Sequence, residues 1–258
     1  MYKHLEKADI QRVLQVSADY RVDGLLITGT HPKEKEYPHL YEALQKIAPD
    51  YHEEKIATPF FGDIKSIVVD GKRIWFDVVY GTAYLSEVAH VACMLGSQAN
   101  ILLGTCGALR SDLNTSDTLL PYASFGNESS TRMYQRENNT NMHASHAKLC
   151  AEIKKSLVSR AVVDEGKLVT VQAMLAETKD DVDIWAAEGY SGVDMESATL
   201  FAVSNHFRVP SAALLFVADN LVRRELIGDI GYETLRTQRM MIRKENYEIA
   251  LSAILTHK

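Results

Sequence analysis

Apolar runs of strand length recur along this chain, and stretches of helical periodicity separate them. Strand character marks Gly24-Leu25-Leu26-Ile27-Thr28-Gly29 and residues 66–69, 74–80, 100–109, 118–123, 168–175 and 213–220. Helical spacing marks 39–47, where Leu40, Ala43, Leu44 and Ile47 share a face, and also 86–95, 148–157, 183–188 and 237–256. Asp70-Gly71-Lys72-Arg73 has the composition of a hairpin turn between 66–69 and 74–80. No internal repeat, low-complexity segment or linker interrupts this alternation. It predicts one α/β domain over residues 1–258. Residues 1–20 are expected to form a polar arm and a short helix. The polar stretch 125–144, rich in Asn, Ser, Thr, Arg and Glu, is expected to be a functional lid or insertion.

The length of 258 residues suffices for one large core, and the 46% hydrophobic and 24% charged content is that of a soluble globular protein. A net charge of −6 argues against a nucleic-acid partner, although a local pocket for a small anion remains compatible with it. The polar N-terminal residues lack the apolar core of a signal peptide, and no apolar run is long enough to suggest a membrane span. Cys93, Cys106 and Cys150 form neither a disulfide framework nor a metal-ligand spacing. These features predict a cytoplasmic protein with reduced thiols. His143 and His146 lack a third ligand nearby, so no metal site and no cofactor is expected.

The chemistry concentrates in 192–220. Gly192-Val193-Asp194-Met195-Glu196-Ser197-Ala198-Thr199 has the form of an acidic turn opening a helix. Phe207-Arg208-Val209-Pro210 closes a loop, and 213–220 is a buried strand ending on Asp219. Negative charge is stabilised at a helix start, where backbone N–H groups lack partners. A strand's C-terminal end is where α/β sheets bind ligands. Asp194, Glu196 and Asp219 can therefore act as caps or converge on a polar ligand. Small-residue turns follow three other apolar runs: Gly29-Thr30, Gly81-Thr82 and Gly104-Thr105-Cys106-Gly107. Such turns let backbone N–H groups approach a ligand closely. None matches a P-loop or a dinucleotide fingerprint.

Leu103-Gly104-Thr105-Cys106-Gly107-Ala108-Leu109-Arg110, Val193-Asp194-Met195-Glu196-Ser197-Ala198-Thr199 and Phe207-Arg208-Val209-Pro210 with Val217-Ala218-Asp219 together resemble the nucleoside phosphorylase and nucleosidase family. Purine nucleoside phosphorylase, uridine phosphorylase, methylthioadenosine/adenosylhomocysteine nucleosidase and AMP nucleosidase belong to it. The likeness spans nearly the whole chain. It looks closest to the catalytic domain of AMP nucleosidase, while uridine phosphorylases share much of the Met-Glu-Ser-Ala-Thr segment. The resemblance implies a central mixed, partly barrel-like β-sheet flanked by helices, and cleavage of the N-glycosidic bond of a nucleoside or nucleotide. It also implies that Glu196 binds the ribose hydroxyls, that Met195 packs on the sugar and that Asp219 serves N7 of a purine. Gly29, Gly81, Thr82, Thr105, Cys106 and Gly107 would line the site. A homo-oligomer, dimer or hexamer, is implied as well, with His4 a candidate to complete a neighbour's site or else an unordered terminal residue.

Departures from the family pattern bear on the nucleophile. Phosphorylases carry an arginine where this chain has Leu102, and another in the first loop. That second position falls on Lys33 if Gly29 sets the register and on Glu34 if Pro32 does. Loss of bidentate arginine contacts weakens phosphate binding, so water is expected as nucleophile with Glu34 as general base. Equally, Glu34 can be one member of the solvated run Lys33-Glu34-Lys35-Glu36. The alternatives are phosphorolysis, with Gly29, Lys33 and Thr105 holding phosphate, and a non-catalytic nucleoside-binding protein. Where purine phosphorylases stack an aromatic pair on the base this chain has Met174-Leu175, so aliphatic surface or Phe125 would meet the base.

Overall fold

Strand β5 (Asn100–Ala108) is the axis on which the sheet of this computed structural model divides. The structure describes residues 4–57, 62–137, 139–158, 160, 163–229 and 233–257. Along its first half β5 pairs in parallel with β1 (Gly24–Gly29). Beyond Gly104 that side is vacated, and β11 (Gly192–Asp194) takes it antiparallel at Gly107 and Ala108. β12 (Ser211–Asn220) lies parallel on the other side for the full length.

The remaining described strands extend outward from these four. β2 (His52–Glu54), β3 (Lys65–Val69) and β4 (Lys72–Val79) continue beyond β1, the last two as the expected hairpin. β10 (Lys167–Thr170), β7 (Ala123–Gly126) and β8 (Met142–Ala144) continue beyond β11. β6 (Thr118–Leu119) and β9 (Val163–Asp164) continue beyond β12. The result is a mixed 12-stranded sheet flanked by helices within one α/β domain.

The central strands are apolar at nearly every position because both their faces are covered. Leu25, Ile27, Leu102, Ala213 and Leu215 face one core, formed with α3 (Thr82–Met94) and α7 (Ser197–Phe207). Leu26, Ile101, Leu103, Ala212 and Leu214 face the other, with α2 (Tyr37–Ile47), α5 (Ala147–Lys155) and the long C-terminal helix α8 (Arg236–Thr256). α1 (Lys7–Val13), α4 (Ser130–Tyr134) and α6 (Lys179–Ala187) complete the helices used below.

Two local expectations differ from the fold. The polar stretch 125–144 is not a lid, because it is woven into the sheet. β8 pairs with β7, Thr131 and His143 are buried, and Glu128 accepts hydrogen bonds from Thr131 N–H and from Thr199 Oγ1 of α7, each at 2.9 Å. Residues 168–175 form a strand only as far as Thr170. Met174–Ala176 instead make a 3₁₀ turn. His143 and His146 have separate structural tasks: the first is held by Gln135 and Asn141, and the second caps α5 through the Leu149 N–H.

A buried polar network joins α8 to the first loop. Glu36, at the start of α2, is 1% exposed. Its carboxylate accepts from Arg243 and, at 3.0 Å, from the Tyr247 hydroxyl, which also bonds Thr28 of β1 at 2.7 Å. Removing one member strands the others away from water. Glu36→Ala is expected to lower unfolding free energy by about 2 kcal/mol, measured by urea denaturation. An unchanged midpoint would exclude this network as a stabilising element.

Candidate active site

The chain's turn from β11 into α7 separates two acidic residues by function. Asp194 is the helix cap. Its Oδ2 accepts from the Ser197 N–H at 2.8 Å and its Oδ1 from Thr170 Oγ1 at 2.6 Å, while Thr170 Oγ1 also accepts from the Ala198 N–H. With those first N–H groups satisfied, Glu196 at the N-cap position makes no capping bond and turns its carboxylate towards β1 and α3.

Glu196 Oε1 accepts from the Gly81 N–H at 2.7 Å. Gly81 has φ 87°, a left-handed conformation that favours glycine. On the other side the carboxylate lies against Gly29, where a Cβ would stand 2.7 Å from Oε2. Burial, reinforced by the neighbouring Asp194, pushes the Glu196 carboxyl up to about 8.

Asp219 arrives from the opposite direction. β12 keeps register with β5 as far as Val217, slips by one residue, and resumes with Asp219 opposite Gly107. The resulting bulge breaks the strand's alternation, so Ala218 and Asp219 both face the same cleft. Burial raises the Asp219 carboxyl to about 6, although a hydrogen bond from the Ile227 N–H opposes the shift.

A cavity of about 110 Å³ lies between Glu196 and Asp219. Its floor is Gly29, Thr105, Cys106 and Gly107 with Val193, Asp194 and Met195. Tyr80, Met174, Glu177, Leu221 and Ile227 form the walls. A smaller pocket of about 10 Å³ shares Gly29 and Thr105 with it and is bounded by Thr28, Thr30, Phe216, Arg243, Asn246 and Tyr247, among others. The Cys106 thiol is fully buried and pushed well above its usual range by desolvation and then by Asp194 and Asp219, so it is no nucleophile.

Of the residues singled out from sequence, Glu196, Asp219, Met195, Gly29, Thr105, Cys106 and Gly107 meet in this cleft, and Gly81 reaches it through its N–H. The others lie elsewhere. Glu34 is exposed on the 3₁₀ turn Lys33–Lys35 and does not line the cleft. Lys33 Nζ pairs with the buried Asp77 at 2.7 Å instead of facing the pocket. Phe125 does not line the cleft but packs, beside Tyr190, against the core cluster that holds Val193 and supports Met195 and Leu221 of the cleft. The Thr82 hydroxyl accepts from Gln172 at 2.7 Å and bonds Ser130. His4 is exposed and does not line the cleft. Leu102 is buried in the core. Sequence reasoning missed Tyr80, Glu177, Leu221 and Ile227. Glu177 had no signal beyond being an acid shortly after Met174, while Tyr80 directly precedes the Gly81 turn.

This architecture has known counterparts. A family model described as the Phosphorylase superfamily matches residues 26–249. The chain belongs to this family. A DeoD-type purine nucleoside phosphorylase of Geobacillus sp. (strain WCH70) is 25% identical over 233 residues, 90% of this chain and 93% of the relative. Among solved structures, uridine phosphorylase from Vibrio fischeri aligns with a TM-score of 0.72 at 13% identity, covering 94% of this chain and 95% of its own. The 5′-methylthioadenosine/S-adenosyl homocysteine nucleosidase of Campylobacter jejuni aligns with a TM-score of 0.69 at 13% identity, covering 90% and 98%. Both structures share the fold. Among the described residues no helix is long and apolar enough to cross a membrane, and no group of three His, Cys, Asp or Glu could hold a metal ion.

The raised Glu196 carboxyl carries a stability consequence. The folded protein keeps this proton up to about pH 8, whereas an unfolded chain releases it near 4.5. Stability from this group is full below 4.5 and is lost as pH rises through 8. Glu196→Gln removes the titration, so the variant is expected to melt above the native protein at pH 8 and by a smaller margin at pH 5. The gain is at most about 5 kcal/mol. Equal melting shifts at both pH values in scanning calorimetry would contradict this.

Proposed function

We propose that the chain cleaves the N-glycosidic bond of a purine nucleoside, with water as nucleophile. The observation that carries the reading is the opposition of Glu196 and Asp219 across one cleft, in a chain whose family includes nucleoside phosphorylases. Heterolysis of C1′–N9 leaves the electron pair on the base and positive charge on the ribose. Asp219, whose carboxyl holds its proton up to about pH 6, donates it to N7 of the departing purine. Without ribose donors Glu196 holds its proton up to about pH 8; hydrogen bonds from the ribose hydroxyls favour its ionised form, which stabilises the oxocarbenium-like sugar. Water adds to C1′ and gives up a proton that restores the Asp219 acid. The products are free base and ribose.

Two observations support water. Leu102 is core in place of an arginine, and the small pocket beside Gly29 and Thr105 has the volume of about one water molecule. Phosphorolysis is the second reading, favoured by the DeoD-type relatives and by Arg243 at the edge of that small pocket. A binding protein without activity is disfavoured, because binding alone has no need of a proton donor at N7. The likeness to AMP nucleosidase makes a 5′-nucleotide a candidate. However, the main cleft is lined by Asp194, Glu196, Asp219 and Glu177 and by no Lys, Arg or His among the described residues, which favours an uncharged nucleoside.

A homo-oligomer is part of the same proposal, because Tyr80, Met174, Leu175, Leu226 and Ile227 leave apolar surface exposed at and beside the cleft walls. Light scattering is expected to give a mass above one chain at micromolar concentration. A monomer there would remove this part.

The deciding assay offers nucleosides and AMP with and without phosphate. Free ribose at a rate independent of phosphate is expected, with Asp219→Asn lowering kcat by roughly 10²- to 10⁴-fold. Ribose 1-phosphate formed only in phosphate buffer would establish the second reading instead.

A further inference from the structure

A second carboxylate stands at the Asp219 end of the cleft. Glu177 ends the 3₁₀ turn Met174–Ala176, is partly buried, and shares the cleft wall with Met174, Leu221 and Ile227. No described residue donates a hydrogen bond to its side chain. Thr178, next in the chain, is engaged in the capping box of α6 with Asp181. A carboxylate that faces a cavity beside the N7 acid and has no hydrogen-bond partner among the described residues has one evident use, which is to meet the part of the base adjacent to N7.

On a purine that neighbouring group is the C6 substituent. Adenine presents N7 as acceptor and its 6-amino group as donor, whereas 6-oxopurines present two acceptors there. One protonated and one ionised carboxyl therefore match a 6-aminopurine. A 6-oxopurine would need both protonated.

We propose that Glu177 and Asp219 together read the N7–C6 edge of the base, Asp219 donating to N7 and Glu177 accepting from a 6-amino group. The proposal rests on the reading of the cleft as a purine nucleoside site. Burial, then repulsion from Asp219 and Asp181, lifts Glu177 to about 7, and burial lifts Asp219 to about 6. Between these two pH values the pair holds about one proton, taken up more readily by Glu177, and the N7 acceptor of a bound purine would draw it to Asp219. The groups facing the pair are Asp181 from α6, Asp194 and Glu196 from the β11–α7 turn, and Tyr80 from the end of β4. None is a cation, so none competes for the Glu177 carboxylate.

The test compares adenosine with inosine from pH 5 to 8, in the native enzyme and in Glu177→Gln. The native enzyme is expected to favour adenosine in kcat/KM by about 10²-fold at pH 7.5, with the ratio shrinking towards pH 5 as the pair gains its second proton. Glu177→Gln, whose amide both donates and accepts, should lower the ratio at least tenfold and flatten its pH dependence. Calorimetric binding of adenine against hypoxanthine to the native protein provides the same comparison without turnover and without a variant. Purine cleavage with identical base ratios in both proteins, or equal native binding of the two bases at all pH values, would overturn the role of Glu177 while leaving the cleavage reading intact. A protein that neither cleaves purine nucleosides nor binds either base would overturn both.

Discussion

The desolvated carboxylate of Glu196 is the constraint to which the site is fitted. A carboxyl taken out of water must find donors or keep its proton. This one has backbone donors in Gly81 and Met195, and a like-charged neighbour, Asp194. Its place exists only because β1 ends on Gly29 and α3 begins after Gly81. The strand end supplies space that any Cβ would fill, and the turn supplies an N–H aimed inward. Asp194 and Thr170 meanwhile satisfy the first N–H groups of α7. That division of labour frees Glu196 from capping and keeps it available to a ligand hydroxyl. The site is thus held on strand ends and a helix start, elements more rigid than loops.

The bulge in β12 sets the other half. A regular strand would send Ala218 and Asp219 to opposite faces. The one-residue slip after Val217 turns both into the cleft while Val217 remains in the core. Positive charge developing on a ribose would then face a floor containing Asp194 and Glu196, and negative charge developing on the base would face Asp219, a carboxyl that can hold and pass on a proton near pH 6. Both halves of a heterolysis are served by the same chemical group in two environments. Burial lifts both carboxyls, Glu196 to about 8 and Asp219 to about 6, so the opposite tasks would be set by what each meets, hydroxyl donors at Glu196 and a base acceptor at Asp219.

Much of this was legible in the sequence, for a physical reason. Strands buried on both faces, such as β1, β5 and β12, have continuous apolar runs, and their ends carry the glycines and acids of the site. Those features are local and survive in a string of letters. Glu177 was not legible because its importance comes from a wall formed by chain segments far apart in sequence, and because β10 ends early and releases 171–177 into a turn. The first loop failed for a similar reason. Lys33 and Glu34 were weighed by register, yet the residue that is buried is Glu36, two positions later, and what buries it is Arg243 and Tyr247 from the far end of the chain. No local pattern encodes a partner some two hundred residues away. The polar stretch 125–144 resembled a lid by composition, but Glu128, Asn141 and His143 are polar side chains satisfied internally.

The same distant pairing bears on the nucleophile. Arg243, which lines the small pocket, and Lys33 of the first loop are each held by a buried acid: Lys33 by Asp77, and Arg243 by Glu36. Releasing either to bind phosphate would leave a buried carboxylate without its counter-charge, a loss on the order of 3–5 kcal/mol for a fully buried pair. The partial exposure of the Lys33 and Arg243 side chains reduces that figure without abolishing it. A phosphate dianion would have to recover the loss within a cleft already lined by four carboxyls. Water has no charge to place and needs no cation released. Electrostatics and the size of the small pocket therefore favour the same nucleophile, and they do so through Glu36 and Asp77, neither of which lines the main cleft.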